Sequence, residues 1–418
     1  MKAPPTLLPQ QRTVSRLAVR ERLGGVAAWI GRADVRTALA ATLGLRFLCS
    51  LIAALAVVTS PGVPHPANPL TAYLSWPWLH WDTAWYLEIA QHGYTLYGST
   101  AFLPLYPLLT HALGVALGDH FLLAALVIST FASFGVFLCL YRLIEKLSPV
   151  PQAARWALLV AALLPVSFFL MAGYTEALFL WAALGALLAF LEGRWARMAL
   201  LAIVATLTRH QGLLLSLVVV PTLASILLDC LALGWKQISW RAVVASLRGP
   251  LVAGMAGPLA YLGWLLVVGL LLHAPLPWEP LTAANGWNLH TAWPGVGVLA
   301  DLAALARQDI PSPLGLSVPL DALAAILAGI TILAAIRRLP MGILLYVSAC
   351  WCLALVKVQP EGLTISAARY LLSALPLAIL PGELLARSRA LLRLLWVILG
   401  SLLLFFLTWE FTSGGWIN

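Results

Sequence analysis

The chain is 418 residues long, 61% hydrophobic and only 10% charged, with a mean hydropathy of +0.92. That balance excludes a soluble globular protein and predicts an all-α polytopic membrane protein. The formal charge of +9 is no nucleic-acid signature, because the basic residues fall in short clusters between apolar spans, as cytoplasmic Lys and Arg do when they orient a membrane protein.

Residues 1–36 carry Lys2, Arg12, Arg16, Arg20, Arg22, Arg32 and Arg36 among apolar residues such as Leu17, Val26 and Ile30, the composition of a cytoplasmic amphipathic arm on the lipid surface. The arm is not read as a cleavable signal, since no small-residue cleavage pattern follows the long apolar span beginning near Thr37. Residues 37–411 read as a single transmembrane domain. Apolar stretches near 37–59, 120–141, 155–172, 175–191, 197–208, 211–229, 250–272, 317–336, 340–357, 368–386 and 391–411, set against the ~20 residues a crossing helix needs, predict about eleven transmembrane helices. The stretch at 197–208 is short for a straight crossing, and 101–117 fits either a crossing or an interfacial helix. Leaving 101–117 out of the count gathers most of the 25 Lys and Arg on the cytoplasmic side with the amino terminus.

No Lys or Arg occurs between Phe47 and Tyr141, so a long first loop, 60–119, is expected outside and is expected to hold interfacial helices. A second external loop runs over 273–316, and 412–418 forms an external tail. The second loop carries Trp278, Trp287 and Trp293, which suit either an interfacial belt or the wall of a substrate site. Cys49, Cys139, Cys230, Cys350 and Cys352 lie in or beside the spans without zinc-ligand spacing and read as small core hydrophobes. Lysine occurs only at 2, 146, 236 and 357, a preference for arginine that fits a GC-rich bacterial genome.

The stretch HWDTAWYLEIAQHGY, His80 to Tyr94, puts Asp82 and Glu88 among four aromatic residues and two histidines. It is too polar to span a bilayer and too aromatic for an ordinary solvated loop, which marks a site at the membrane surface. The chain has no GxxxxGK[ST] loop, no Rossmann glycine fingerprint and no DxD pair. A membrane-dissolved activated donor, such as a polyprenyl phosphate sugar, therefore suits the expected topology better than a nucleotide. A phosphate leaving group, with a second pKa of about 6, needs positive charge and not a protonating acid, so one carboxylate suffices to take the proton of an attacking hydroxyl. Asp82 is the candidate base. Arg209 and Arg369, expected at outer helix ends, are the candidates to hold the phosphate, because a guanidinium grips phosphate oxygens in pairs and stays charged.

Each assignment has a structural rival. Asp82 precedes a helix-like run and also suits that helix's N-cap. Glu88 and His92 are spaced as an i,i+4 surface pair. Glu176 suits either a dipole-stabilising position at a helix start or a cavity wall. Arg209, in LTRHQG, interrupts two apolar runs, where an ionisable group is costly and usually functional; Arg369 also suits snorkelling to head groups. Arg46 reads as a structural residue paired with an unidentified acid inside the first span, and Lys357 and Arg307 carry weaker signals. His80, Trp81, Tyr106 and His210 complete the candidate substrate-binding set. The histidines lack paired ligand spacing; a divalent cation has no support from the sequence, and no metal ligand is assigned.

Five stretches in order, HWDTAWYLEIAQHGY followed by AFLPLYPLL, LLPVSFFLMAGYTEALFL, LTRHQGLLL and ARYLLSALPLAIL, resemble the signature stretches of the PIG-V family. This is the GPI mannosyltransferase II family with its bacterial relatives, in the GT-C superfamily of membrane glycosyltransferases. The resemblance covers about Trp76 to Pro381, with Leu103 standing where the family's FFPLYP-like stretch has a second phenylalanine. It implies a GT-C-type fold and inverting transfer of mannose from a dolichyl or polyprenyl phosphate mannose to an acceptor hydroxyl. The reaction would occur on the periplasmic or lumenal face, with Asp82 as the catalytic acid of the first external loop. A bacterial relative would reside in the plasma (inner) membrane and act on a glycolipid, glycan or protein hydroxyl, there being no GPI precursor. The rival class is a flippase for a lipid or lipid-linked sugar, which shares the apolar helices and buried arginines but has no use for an aromatic-flanked aspartate in a long external loop. A non-catalytic assembly subunit is the third class.

Overall fold

The computed structural model describes residues 29–59, 76–233, 239–308 and 316–415. The arm expected over 1–36 lies outside the described residues as far as residue 28, as do 60–75 of the first loop and the last three residues of the expected tail. The described chain is helical throughout apart from one two-stranded ribbon.

In chain order, α1 (Ala33–Thr59), α2 (Asp82–His92), α3 (Leu105–Ala116), α4 (Phe121–Leu147), α5 (Ala153–Ala162), α6 (Glu176–Leu191) and α7 (Trp195–Thr208) form the first half. A 3₁₀ stretch, His210–Val219, then runs into α8 (Val220–Leu233), and α9 (Trp240–Leu266) continues as a π-helical end to Leu272. The second half comprises α10 (Glu279–Thr282), β1 (His290–Thr291), α11 (Val296–Arg307), α12 (Ser317–Ala335), α13 (Met341–Val356), β2 (Lys357–Val358), α14 (Ala367–Tyr370), a 3₁₀ stretch to Ala378, α15 (Ile379–Arg387) and α16 (Ala390–Thr412).

Among the described residues, seven helical segments are long and apolar enough to cross a membrane: α1, α4, His210–Ala232, Trp240–Leu272, α12, Ala367–Arg387 and α16. The other four expected spans appear as shorter helices, α5, α6, α7 and α13. At 1.5 Å per residue these reach roughly 15–24 Å against a ~30 Å hydrocarbon core. The expected crossing at 155–172 is shortened because Pro165 follows α5, and a proline cannot continue the helix's hydrogen-bond ladder. The stretch at 101–117 contains α3, 12 residues long and about 18 Å along its axis, one of the shorter apolar helices with α5, α6, α7 and α13.

The core is centred on α6, which is buried nearly all round, as expected of a helix without a polar face. It packs between α4 and α7, and α7 in turn packs on α9. Close approach depends on small residues: a Cβ at Gly135 of α4 would meet the Trp181 indole of α6 at 2.4 Å, and one at Gly249 of α9 would meet the Trp195 indole of α7 at 2.2 Å.

The two ends of α6 differ in character. Glu192, at its carboxyl end, pairs with Lys146 at 3.5 Å and Arg194 at 3.4 Å. Arg142–Asp34 and Arg338–Glu383 pairs mark the same ends of the neighbouring helices. Glu176 begins the helix, roughly 24 Å away along the axis. Arg46, expected to pair with an acid, instead donates to the carbonyls of Leu126 (3.2 Å) and Met171 (2.7 Å) and to the Thr130 hydroxyl (2.5 Å). Its role in locking α1 to α4 is structural, but the partners are neutral oxygens.

Candidate active site

The amino end of α6 is where the polar residues converge. The chain reaches it through the YTE turn, and the Glu176 side chain is 3% exposed. Its Oε1 accepts from Arg209 Nη1 at 2.6 Å and from Arg369 Nε, so one carboxylate oxygen holds two guanidinium groups. Oε2 is buried without a hydrogen-bond partner among the described residues.

Arg209 is delivered by a sharp exit from α7. The residue itself is extended, and the chain folds back on α7 so tightly that a Cβ at Gly212 would lie 2.3 Å from the Thr206 backbone nitrogen. The glycine of LTRHQG is therefore what permits the turn. Arg209 Nη1 also donates to the Thr175 hydroxyl at 2.9 Å, and that hydroxyl lies 3.2 Å from the Tyr86 phenol. Burial, and secondarily the nearby Asp82 carboxylate, raises the Tyr86 phenol above its ordinary range, keeping it neutral.

Arg369 sits on the short helix α14, whose start is fixed by two buried acids that the sequence reading did not single out. Asp321 of α12 accepts from the Ala368 backbone N–H at 2.7 Å, and Asp301 of α11 accepts from the Thr364 backbone N–H at 3.0 Å and from the Thr364 hydroxyl. The guanidinium so placed lies 4.6 Å from the Tyr174 ring centroid and 4.9 Å from that of Phe169, and its Nη2 is 2.7 Å from Asp82 Oδ2. Asp321→Ala is expected to free the start of α14. The unpaired Ala368 N–H costs about 1–3 kcal/mol, seen as a lower melting temperature, and misplaces Arg369, seen as lost activity. Asp321→Asn, which keeps an acceptor, retains most of both. Unchanged melting and activity in the alanine variant would remove this role.

Asp82 is the first residue of α2. The N-cap is Trp81, with φ +53°, so Asp82 does not serve as the cap; its backbone N–H donates to the Tyr174 hydroxyl at 3.2 Å. Its side chain is 27% exposed against 12% for Arg369, so the acid faces outward from the buried arginines. Oδ2 is held by Arg369, while Oδ1 receives no hydrogen bond from the described residues.

These groups border a cavity of about 370 Å³, within the usual ligand-pocket range. Asp82, Arg209, Lys357, Arg369 and Tyr370 supply its polar wall. Phe102, Trp278 and Trp287 supply an aromatic one, where Trp85 stacks on Phe102 at 5.5 Å and packs against Trp287 at 5.4 Å. Of the second-loop tryptophans, Trp278 and Trp287 therefore line the cavity, whereas Trp293 is 84% exposed. Lys357 reaches the cavity because β1 and β2 pair antiparallel, Thr291 opposite Lys357. Its Nζ lies 3.4 Å from the Tyr370 hydroxyl and 5.0 Å from the ring centroid.

The remaining candidates divide. Trp81 and His210 line the cavity; Trp81 Nε1 donates to the Gly415 carbonyl at 3.1 Å, and the His210 ring packs against Tyr261 at 5.6 Å. Tyr106 is buried behind the cavity wall, donating to the Ala125 carbonyl at 3.1 Å beside Ser129. His80 packs on Trp76 and Phe411 and does not line the cavity. Glu88 forms an exposed pair with His92 at 3.1 Å, away from the cavity wall. Among the described residues no three His, Cys, Asp or Glu side chains converge as a metal site.

The chain resembles two solved structures. One is the archaeal oligosaccharyltransferase AglB from Archaeoglobus fulgidus in complex with an inhibitory peptide and a dolichol-phosphate, with 14% identity, TM-score 0.42, and coverage of 89% of this chain and 55% of that one. The other is the Archaeoglobus fulgidus oligosaccharyltransferase in the apo form, with 15% identity, TM-score 0.42, and coverage of 90% and 56%. The chain thus spans little more than half the length of either. No curated protein matches it. The match to the family described as Mannosyltransferase (PIG-V) covers residues 49–246, so the ARYLLSALPLAIL stretch with Arg369 lies beyond it. Residues 49–246, which hold Asp82, Glu176 and Arg209, are thus the part of the chain that is similar to the PIG-V mannosyltransferase family.

Proposed function

We propose that this protein is a membrane glycosyltransferase that moves a sugar, mannose by its family, from a polyprenyl or dolichyl phosphate to an acceptor hydroxyl. The observation that carries the reading is Asp82: one carboxylate oxygen is held by Arg369, the other is open, and both stand at the rim of a cavity rich in cations. In the step, the acceptor oxygen attacks the anomeric carbon and inverts it while its proton passes to Asp82 Oδ1. The bond from that carbon to the phosphate oxygen breaks, and polyprenyl phosphate leaves with the electron pair. The leaving phosphate gains negative charge, so fixed cations beside it stabilise the transition state more than the ground state. Arg369 orients the base, and the aromatic wall offers faces for a sugar and the first isoprene unit.

The non-cytoplasmic location of the reaction is part of this proposal. It is supported by the separation of the site from the cationic helix ends that pair with Asp34, Glu192 and Glu383, since Lys and Arg concentrate on the cytoplasmic side. Residence in a bacterial plasma membrane, with an amino-terminal cytoplasmic arm and a single catalytic domain over 37–411, belongs to the same reading.

The test is incubation of purified protein with radiolabelled polyprenyl phosphate mannose and a panel of lipid extracts. Label is expected to move from donor to an acceptor and to leave polyprenyl phosphate behind. Movement of intact donor across a vesicle bilayer without any transfer would instead make the protein a flippase.

A further inference from the structure

We infer that Lys357, framed by Tyr370, is the seat of the donor phosphate, and that Arg209 and Arg369 act as positioning residues held by Glu176. The inference rests on the transferase reading above and names which cation meets the anion. The sequence points to the arginines for that task because both are expected at outer helix ends and a guanidinium grips phosphate oxygens in pairs and stays charged. The structure shows both already engaged: Arg209 with Glu176, and Arg369 with Glu176 and Asp82. A phosphate approaching either guanidinium meets a positive charge already balanced by a carboxylate, Glu176 or Asp82, so the net attraction left for it there is small.

Lys357 has no such tie. Among the described residues it forms no ion pair with a carboxylate; its polar neighbour is the Tyr370 hydroxyl at 3.4 Å, and its ammonium lies against that residue's ring. It is half-buried in the cavity wall. Such an ammonium is incompletely compensated until an anion arrives. The Arg209 guanidinium packs 5.5 Å from the same ring's centroid, so two cations share Tyr370, and of the two only Arg209 is paired with a carboxylate among the described residues. The backbone of Lys357 is pinned by its pairing with Thr291, which fixes the base of an otherwise flexible side chain. As the glycosyl bond breaks, the growing phosphate charge strengthens its attraction to the ammonium, so Lys357 should matter to the rate as well as to donor binding.

The test uses full-length purified protein in nanodiscs of neutral lipid, titrated with farnesyl phosphate and, separately, with farnesol. Wild type is expected to prefer the phosphate. Lys357→Gln and Lys357→Met should each weaken phosphate binding about tenfold or more, the scale of a charge-assisted hydrogen bond, and leave farnesol binding unchanged, while Lys357→Arg keeps the preference. Retention of the full phosphate preference in both neutral variants overturns the inference and leaves the transferase reading standing. Equal weakening of both ligands also overturns it, since Lys357 would then only shape the cavity. A wild-type protein indifferent to the phosphate would end both the inference and the donor reading.

Discussion

Asp82→Asn is expected to lower transfer by about 10²–10⁴-fold, the range for loss of a positioned general base, with little change in melting temperature. Asn matches Asp in shape and still presents an oxygen to Arg369, which keeps its contact with Glu176, so no buried charge is orphaned. The backbone bond from residue 82 to Tyr174 does not involve the side chain and persists. What disappears is the capacity to accept a proton from the attacking hydroxyl. Because the acid is partly exposed and the arginine behind it buried, the loss should fall on kcat more than on KM for the donor. A variant that transfers at the wild-type rate would remove Asp82 as the base. One that loses transfer yet still carries donor across vesicles would separate a transport activity from the chemistry.

The parts of this site that could be read from sequence are those in which a residue is anomalous where it stands. Asp82 is conspicuous because it sits among tryptophans between apolar spans, and Arg209 and Arg369 because ionisable groups inside apolar runs are expensive. Their meeting on one oxygen of Glu176 was not legible, since the partners are 33 and 193 residues away in sequence and nothing local encodes that distance. Lys357 carries only a weak signal in the sequence, a lysine at the end of an apolar span, and it is the β1–β2 pairing that brings it to the cavity. Asp321 could have been noticed by the rule that exposed the arginines, as a lone acid in LSVPLDALAAIL. The apolar pattern found the helices but overestimated some lengths, because hydropathy reads through Pro165 whereas the backbone cannot. Tyr106 and Glu88 belonged to the right stretches. Alternation around a helix places one behind the cavity wall and the other on the surface, a distinction finer than motif position.

Glu176→Ala is expected to cost about 3–5 kcal/mol of stability, the range for removing one partner from a buried ion pair, and to abolish most of the transfer. Two guanidinium groups, each about one-tenth exposed, would then face each other without their shared counter-ion. Arg369 would retain Asp82, so the excess positive charge would pull the Asp82 carboxylate inward and engage it more fully. Arg209 would retain the Thr175 hydroxyl, Gln211 and the face of the Tyr370 ring, none of them a carboxylate. Glu176→Gln provides the second arm: it keeps the shape and an acceptor oxygen but loses the charge, so folding should suffer less than activity. Adding Arg209→Ala to Glu176→Ala removes one of the two stranded cations, and the double variant should recover part of the lost melting temperature, because residues in one network do not act additively. If the two substitutions simply add, the arginines are not held by Glu176 in the way the distances indicate. Independent behaviour of that kind would also detach Arg369 from its role in aiming Asp82.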